Sequence, residues 1–570
     1  MKINKYAFII LSALMVNTAF ADEMEEVIVS SSLVNSSASE ISDPLHILSG
    51  DDISNEATQS LGETLDDLLG VSSADYGSGV GQPIIRGMSG SRVKILENSI
   101  VNRDVSGLGV DHLNDVDLNN VQQIEVIRGP SSLLYTNGTV GGIINIVDNS
   151  IAQDDVERAI KIGLESQSVN DGDTQSLFYQ DNIQNINVSF SYKDSSFGNF
   201  DVPNGAIIHM EEEHHDEDED HDDEEDHDEE NLGYLANSDF ASESLKFGAS
   251  STGDWGFIGF SVASIESMYG IPFHGEEHED EHGEEHGEEH GEEEGHDEHE
   301  GERIFSNTKS DKVDVRGSLN IDSNLISKVD FFIRDTDYSL TEQHAEEEEH
   351  EEEGHDEDEH EGHEEGPTTF TNDALEAGFI FDLSNDFMSQ KLAVNFVNED
   401  TSVLGSEAFM NPASRDELTF GYYISRDISD YTLDFGVRID RLANEGSISA
   451  AHEEEEHHDE DEDHEEEEHD EHEEMETAFY DKSFNNTSFA FNIGREINDF
   501  INVDLGFASV ERAPSSIELF MNGAHLATGR FEVGNVNLQS ETSNNIDLTV
   551  SMNSGGFFAS ATLFANKVDN

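Results

Sequence analysis

The chain has 570 residues, with 128 Asp and Glu against 27 Lys and Arg, and no Cys. A formal net charge of -101 repels phosphate backbones and excludes a nucleic-acid partner, while the missing thiols exclude disulfides and thiolate metal sites. Cations are the natural partners, and any metal must be held by imidazole and carboxylate.

The start reads as a secretory signal over residues 1–21. Lys2 and Lys5 precede an apolar stretch from Ala7 to Val16, and Ala19-Phe20-Ala21 has the small-x-small form of a cleavage site. That stretch falls short of the roughly 20 apolar residues of a membrane-spanning helix, and no later segment comes closer. An exported chain of this kind enters a membrane as a closed β-barrel, which satisfies its backbone hydrogen bonds internally.

Residues 22–42 read as a linker and residues 43–149 as a mixed region of Gly and apolar runs. From residue 150 onward the pattern alternates. Leu433, Phe435, Val437 and Ile439 are separated by Asp434, Gly436 and Arg438, and Asp440 follows, so a period of two sends the apolar set to one face. The same pattern returns at Ile186, Val188, Phe190 and Tyr192, at Ile501, Val503, Leu505 and Phe507, and at Ile546, Leu548, Val550 and Met552.

A soluble β-sandwich alternates too, so the connections decide. Tight turns at Ser251-Thr252-Gly253-Asp254, Asp322-Ser323-Asn324, Asn385-Asp386 and Ser554-Gly555 alternate with long connections, the asymmetry of an outer-membrane barrel. Four long connections, at about 211–230, 274–302, 344–365 and 452–476, are almost entirely Glu, Asp, His and Gly. An even number of strands between successive runs puts all four on one side.

The expected fold is mainly β: a transmembrane antiparallel barrel over residues 150–570, with an N-terminal α+β domain. About fifteen strands precede Asn570. An odd, unclosed barrel leaves bare edges in lipid, so the expectation is a fragment lacking its final strands.

Longer phrases point to a family. Pro83-Ile84-Ile85-Arg86-Gly87-Met88, Val121-Gln122-Gln123-Ile124-Glu125-Val126-Ile127-Arg128-Gly129-Pro130, Ser131-Ser132-Leu133-Leu134-Tyr135 and Gly141-Gly142-Ile143-Ile144-Asn145 resemble the N-terminal part of TonB-dependent outer-membrane receptors. The resemblance implies that residues 43–149 form a plug inside a barrel of about 22 strands.

Glu25-Glu26-Val27-Ile28-Val29 looks like the family's TonB box, in which Glu26, Val27, Ile28 and Val29 add as a strand to TonB. TonB with its inner-membrane motor, together with outer-membrane lipid and lipopolysaccharide, are the implied partners. Arg512-Ala513-Pro514-Ser515-Ser516-Ile517-Glu518-Leu519-Phe520, followed by Gly523, His525, Thr528 and Phe531-Glu532-Val533-Gly534-Asn535, is most similar to the family's zinc receptors.

Histidine is concentrated in the acidic runs; outside them stand His46, His112, His209 and His525. In the second run His278, His282, His286 and His290 recur every fourth residue. An acidic run alone is solvated charge. Interleaved imidazole points instead to capture of zinc, copper or nickel. Surrounding carboxylates raise imidazole pKa values, so capture by the runs should weaken on mild acidification.

Passage needs a more selective site. By resemblance to the zinc receptors, Asp111 and His112 in Gly107-Leu108-Gly109-Val110-Asp111-His112 supply the plug half of a metal site and His525 the barrel half, with Glu407 completing it. Two imidazoles and two carboxylates suit a tetrahedral ion such as zinc. His46 and His209 read as structural or surface residues.

The expected function is TonB-dependent import of a transition-metal ion, zinc foremost. A receptor for haem or an iron-siderophore complex is a second reading, and a non-transporting surface metal sponge or adhesin a third. No enzyme and no catalytic cofactor are expected. There is no Gly-x-Ser-x-Gly elbow, and His-Glu pairs, the His278-Glu279-Asp280-Glu281-His282 stretch included, occur only in the low-complexity runs, where chance explains them.

Overall fold

The computed structural model describes residues 46–50, 53, 59–77, 79–203, 233–272, 303–344, 366–405, 408–451, 475–498, 500–525, 530–554 and 557–569. The expected signal, TonB box and most of each acidic run, with His278, His282, His286, His290, Glu26, Val27, Ile28 and Val29, lie outside these residues, as do His209 and Glu407.

The N-terminal domain is built from short strands: β1 (His46–Ser49), β2 (Val71–Asp75), β3 (Gly81–Ile85), β4 (Val93–Glu97), β5 (Ile100–Val101), β6 (Gln123–Ile127) and β7 (Gly142–Val147). Five of them form a mixed sheet in the order β1-β6-β7-β4-β5, with β4 and β7 parallel. Its middle strands β6 and β7 are buried at every position, and the polar side chains among them, Gln123, Glu125 and Asn145, hydrogen-bond to one another.

β2 and β3 pair separately as a hairpin, and helix α1 (Leu61–Leu65) packs on it, its first turn capped by the Ser60 hydroxyl accepting from Glu63 N–H. Leu61, Leu65, Ile85, Val93, Ile124, Val126, Ile144 and Ile146 form the core that joins the hairpin to the sheet.

The alternating region becomes one antiparallel sheet. Its strands begin with β8 (Ala159–Gln167), β9 (Gly172–Ile183) and β10 (Ile186–Phe197). After the small pair β11 (Phe200–Asp201) and β12 (Tyr234–Leu235) come β13 (Phe240–Gly253), β14 (Gly256–Gly270), β15 (Ile304–Asn320), β16 (Lys328–His344), β17 (Thr368–Asp382) and β18 (Ser389–Leu404). Then follow β19 (Ala413–Ile428), β20 (Tyr431–Ala451), β21 (Met475–Asn498) and β22 (Ile501–Arg512).

Between β22 and the last two strands lie helix α2 (Ser516–Phe520) and the hairpin β23 (Asn522–His525) and β24 (Arg530–Val533); β25 (Glu541–Ser554) and β26 (Phe557–Asp569) complete the sheet. It has 15 strands, β8 and β26 being its two edges, in agreement with the count from the sequence.

Strand order puts all four acidic runs at connections on the same end of this sheet, between β10 and β13, β14 and β15, β16 and β17, and β20 and β21. Two boundaries move: β16 runs to His344 and β21 starts at Met475, each inside the expected run. One turn moves as well. Ser251, Thr252 and Gly253 stay in β13 and the chain reverses at Asp254 and Trp255, because Gly253 pairs with Gly256.

The sheet's polarity is the reverse of a soluble protein's. Phe435 is 39% and Ile439 56% exposed on the outer face, with Ile258, Phe260, Phe379 and Phe507 alongside, while Asp434, Arg438 and Asp440 are buried inside. An apolar exterior around a charged interior is what hydrocarbon selects.

The inner domain sits against that charged wall. Arg103 pairs with Glu376 and Glu399, Lys312 with Glu97 and Asp115, and Arg86 with Asp547. The turn of 3-10 helix at Pro130–Leu134 docks against β19 and β20. Gly421 and Gly436 permit the approach: a Cβ there would stand 2.7 Å from Leu133 O and 2.5 Å from Pro130 O.

Candidate metal centre

Asp111 and His112 lie on an irregular loop between β5 and β6 that closes on itself. The half-buried Asp104 carboxylate accepts from Ser106 N–H (3.0 Å) and hydroxyl (2.6 Å) at one end and from Asp115 N–H (3.0 Å) at the other. Asn102 adds a fourth donor at 2.8 Å. Val105 and Leu113 pack this loop into an apolar cluster with Tyr269, Tyr338, Leu340 and Phe370 of the barrel wall.

His525 is brought inward by the excursion between β22 and β25. α2 opens with a capping box between Ser515 and Glu518, and Arg512 holds both Glu518 and Glu541, at 2.8 and 2.7 Å. Asn522 N–H donates to Phe409 O at 2.7 Å and fixes the start of β23. The last residue of that strand is His525, stacked on His112 with ring centroids 5.3 Å apart.

Glu342 completes the group from β16, where every second residue faces inward: Tyr338, Leu340 and Glu342 are each at most 1% exposed. Asp111, His112, Glu342 and His525 each offer a ligand atom, all within 4.8 Å of one another. The four side chains are at most 1% exposed.

His112 Nε2 is 3.4 Å and His525 Nε2 3.5 Å from Asp111 Oδ2. A tetrahedral zinc ion, with bonds of about 2.0–2.1 Å, spaces its ligand atoms roughly 3.3 Å apart. Small side-chain adjustments would therefore close this group on one ion.

The remaining ring nitrogens face carboxylates, His112 Nδ1 at 3.7 Å from Glu342 Oε1 and His525 Nδ1 at 3.4 Å from Glu532 Oε1. A carboxylate behind an imidazole fixes its tautomer and orients its free nitrogen, the place Glu532 takes behind His525. Phe370 and Phe409 wall the rings off, at centroid distances of 5.3 Å to His112 and 4.9 Å to His525.

The electrostatics favour a cation. Burial pushes His112 down to about 3, so its ring is neutral and its lone pair available. His525 is also lowered, by burial and by His112, against the pull of Asp111 and Glu532. Burial raises Asp111, only partly opposed by His525 and Arg530. Among the described residues neither oxygen of Asp111 and neither ring nitrogen of His112 has a hydrogen-bond partner of good geometry. An unsatisfied buried carboxylate beside neutral imidazoles is costly without a positive ion between them.

The structure thus brings together Asp111, His112 and His525 of the sequence-derived set. It adds Glu342 and Glu532, to which sequence reasoning assigned no role. Glu342 immediately precedes the third acidic run, where one more Glu carries no distinguishing signal; its inward register on β16 is the clue. His46 is not part of the group; its Nε2 lies 3.2 Å from Leu69 O.

Comparison with known proteins agrees with this architecture. Residues 37–143 match the model of the TonB-dependent Receptor Plug Domain, and residues 162–570 that of the TonB dependent receptor-like beta-barrel. Among solved structures, the chain is similar to the hemophore receptor HasR of Serratia marcescens, with a TM-score of 0.69 and 12% identity over 93% of this chain and 73% of that one.

The copper transporter OprC (TM-score 0.65, 12% identity, 92% and 72% covered) shares the fold. So does the ferric yersiniabactin uptake receptor FyuA of Yersinia pestis (TM-score 0.62, 12% identity, 94% and 74% covered).

Proposed function

Because the chain belongs to the TonB-dependent receptor family, with a plug and an outer-membrane β-barrel, we propose that it imports a bare transition-metal cation, zinc foremost. The observation that carries this reading is the buried group Asp111, His112, Glu342 and His525 at the seam of plug and barrel.

Two imidazoles with two carboxylates form a ligand set of intermediate softness, suited to zinc and free of the thiolate or thioether that favours copper(I). Their common span of 4.8 Å accommodates one ion and not the ring of a haem. The acidic, His-rich runs at one end of the sheet would concentrate cations at the mouth, and the internal group would select among them. Energy would come from TonB acting on Glu26, Val27, Ile28 and Val29. A surface sponge has no use for an ion site buried between plug and wall.

The test is uptake of radioactive zinc by cells carrying His112→Ala or His525→Ala, with barrel assembly checked by heat-modifiable migration. Uptake should fall at least tenfold in each while assembly is unchanged. Wild-type uptake in both variants would remove the internal site from the account.

A further inference from the structure

Gln82 ties the β2–β3 hairpin of the plug to the metal-site loop by hydrogen bonds. It lies on β3, within the β2–β3 hairpin, and is 3% exposed. Its side-chain nitrogen reaches across to the metal-site loop, 2.9 Å from Ser106 O, 2.6 Å from Gly109 O and 2.8 Å from His112 O. Two amide hydrogens thus serve three carbonyls, and the loop from Ser106 to His112 is wrapped around a single group.

A cavity of about 150 Å³ lies against the loop, lined by Gln82, Ser106 and Gly107 together with Asn102 and Asn114. A side chain at Gly107 would meet nothing within 4 Å. Packing by Val105 and Leu113 fixes the opposite side of the loop, toward the barrel. On the plug side, apolar packing of Tyr76 and Val80 with Val105, Leu108 and Leu113 brings the hairpin to the loop, and the Gln82 amide fixes the carbonyls of Ser106, Gly109 and His112. Chain order matters too: β1, α1, β2 and β3 all precede the loop, so tension applied at the N-terminus reaches Gln82 before it reaches His112.

We propose that Gln82 is a positioning residue whose amide holds Asp111 and His112 in register with Glu342 and His525, and that withdrawal of the β2–β3 hairpin lets the bound cation go. This rests on the metal-import reading above. The amide touches no ligand atom; it acts through the carbonyl of His112 and its neighbours. When β3 moves, three acceptors lose their donor together, the loop can swing into the cavity, and the ligand group loses its plug half.

The test uses the full-length receptor in detergent, loaded with Co²⁺, whose visible absorption reports tetrahedral coordination. The part of that absorption lost in His112→Ala defines the internal site against ions held elsewhere. Gln82→Leu keeps the bulk without a donor, and Gln82→Glu presents acceptors only.

Both should weaken the His112-dependent absorption and speed release of Co²⁺ to a chelator at least tenfold, the scale set by removing a group that orients a metal ligand. Gln82→Asn, a milder change, should fall between and provides the measurement if the other two fail to assemble. A purely structural role would lower the metal-free unfolding midpoint while leaving release and spectrum alone. Wild-type release and spectrum in the variants overturn the proposal but leave the metal site standing. Absence of any His112-dependent absorption in the unmutated protein overturns the metal reading itself.

Discussion

Two buried charged groups lie on the same wall of this barrel and touch the same plug loop, yet they are built differently. In one, Lys312 pairs with Glu97 (3.0 Å) and Asp115 (3.2 Å), and Arg334 pairs with Asp314 (2.6 Å). In the other, Asp111 and Glu342 stand beside the imidazoles of His112 and His525. In the β15–β16 ladder Ser306 faces Glu342 and Lys312 faces Thr336, so six residues of strand, about 20 Å, separate the two groups.

Burial pushes Glu97 and Asp111 up alike. For Glu97 the charges of Lys312, Lys246 and Arg334 outweigh it, and the group ends below its ordinary range. Asp111, with His525 and Arg530 as its positive neighbours, ends above. The first group carries its cations covalently, whereas the second, on the proposed reading, takes its cation from outside.

The largest effect expected from this contrast is on the compensated group. Lys312→Met leaves Glu97 and Asp115 buried without their partner and should destabilise the docked plug by about 3–5 kcal/mol. Denaturant unfolding and protease access to the plug measure it, and an unchanged midpoint would erase the distinction.

Glu342→Gln should do the opposite: without metal the midpoint holds or rises, because a buried charge has gone. Zinc at a hundredfold excess over its dissociation constant should stabilise the unmutated protein by about 2.7 kcal/mol, and the variant by much less. Equal zinc-induced shifts would exclude Glu342 from the site.

Acidity separates the internal site from the His-rich runs more gently. With His112 held near 3, its ring stays neutral as pH falls from 7 to 5.5, so the site keeps its ion. Imidazoles among carboxylates in the runs take up protons in that interval and should release theirs. Protonation of Asp111, whose carboxyl burial has raised, ends retention. Zinc stoichiometry followed against pH should fall to a plateau near one before it vanishes; a single smooth loss would contradict this.

The smallest effect is expected from Gly109→Ala. Its Cβ would stand 2.2 Å from Asp111 Oδ1, so the carboxylate has to turn and zinc affinity should drop a few-fold by calorimetry.

The sequence alone carried the barrel. Alternation at positions such as Leu433–Asp440 is a local property of strands, and the spacing of turns and long connections follows from it without knowledge of any contact. The plug phrases around Arg86-Gly87 and Arg128-Gly129 were legible for a related reason. Gly87 and Gly129 take φ of +80° and +83°, conformations that favour glycine and so leave a mark in the text.

What only the tertiary structure decided was membership of the internal group. Glu342 is 230 positions from His112, and nothing local distinguishes it from the acids that follow. Strand register turned it inward, and burial beside neutral imidazoles made it matter. Gln82 is silent for the same reason, since its three partners are backbone carbonyls that every residue type offers. Periodicity is written in neighbours along the chain, whereas a ligand set is made by the closing of a sheet around a plug, which sets the distances between residues far apart in sequence.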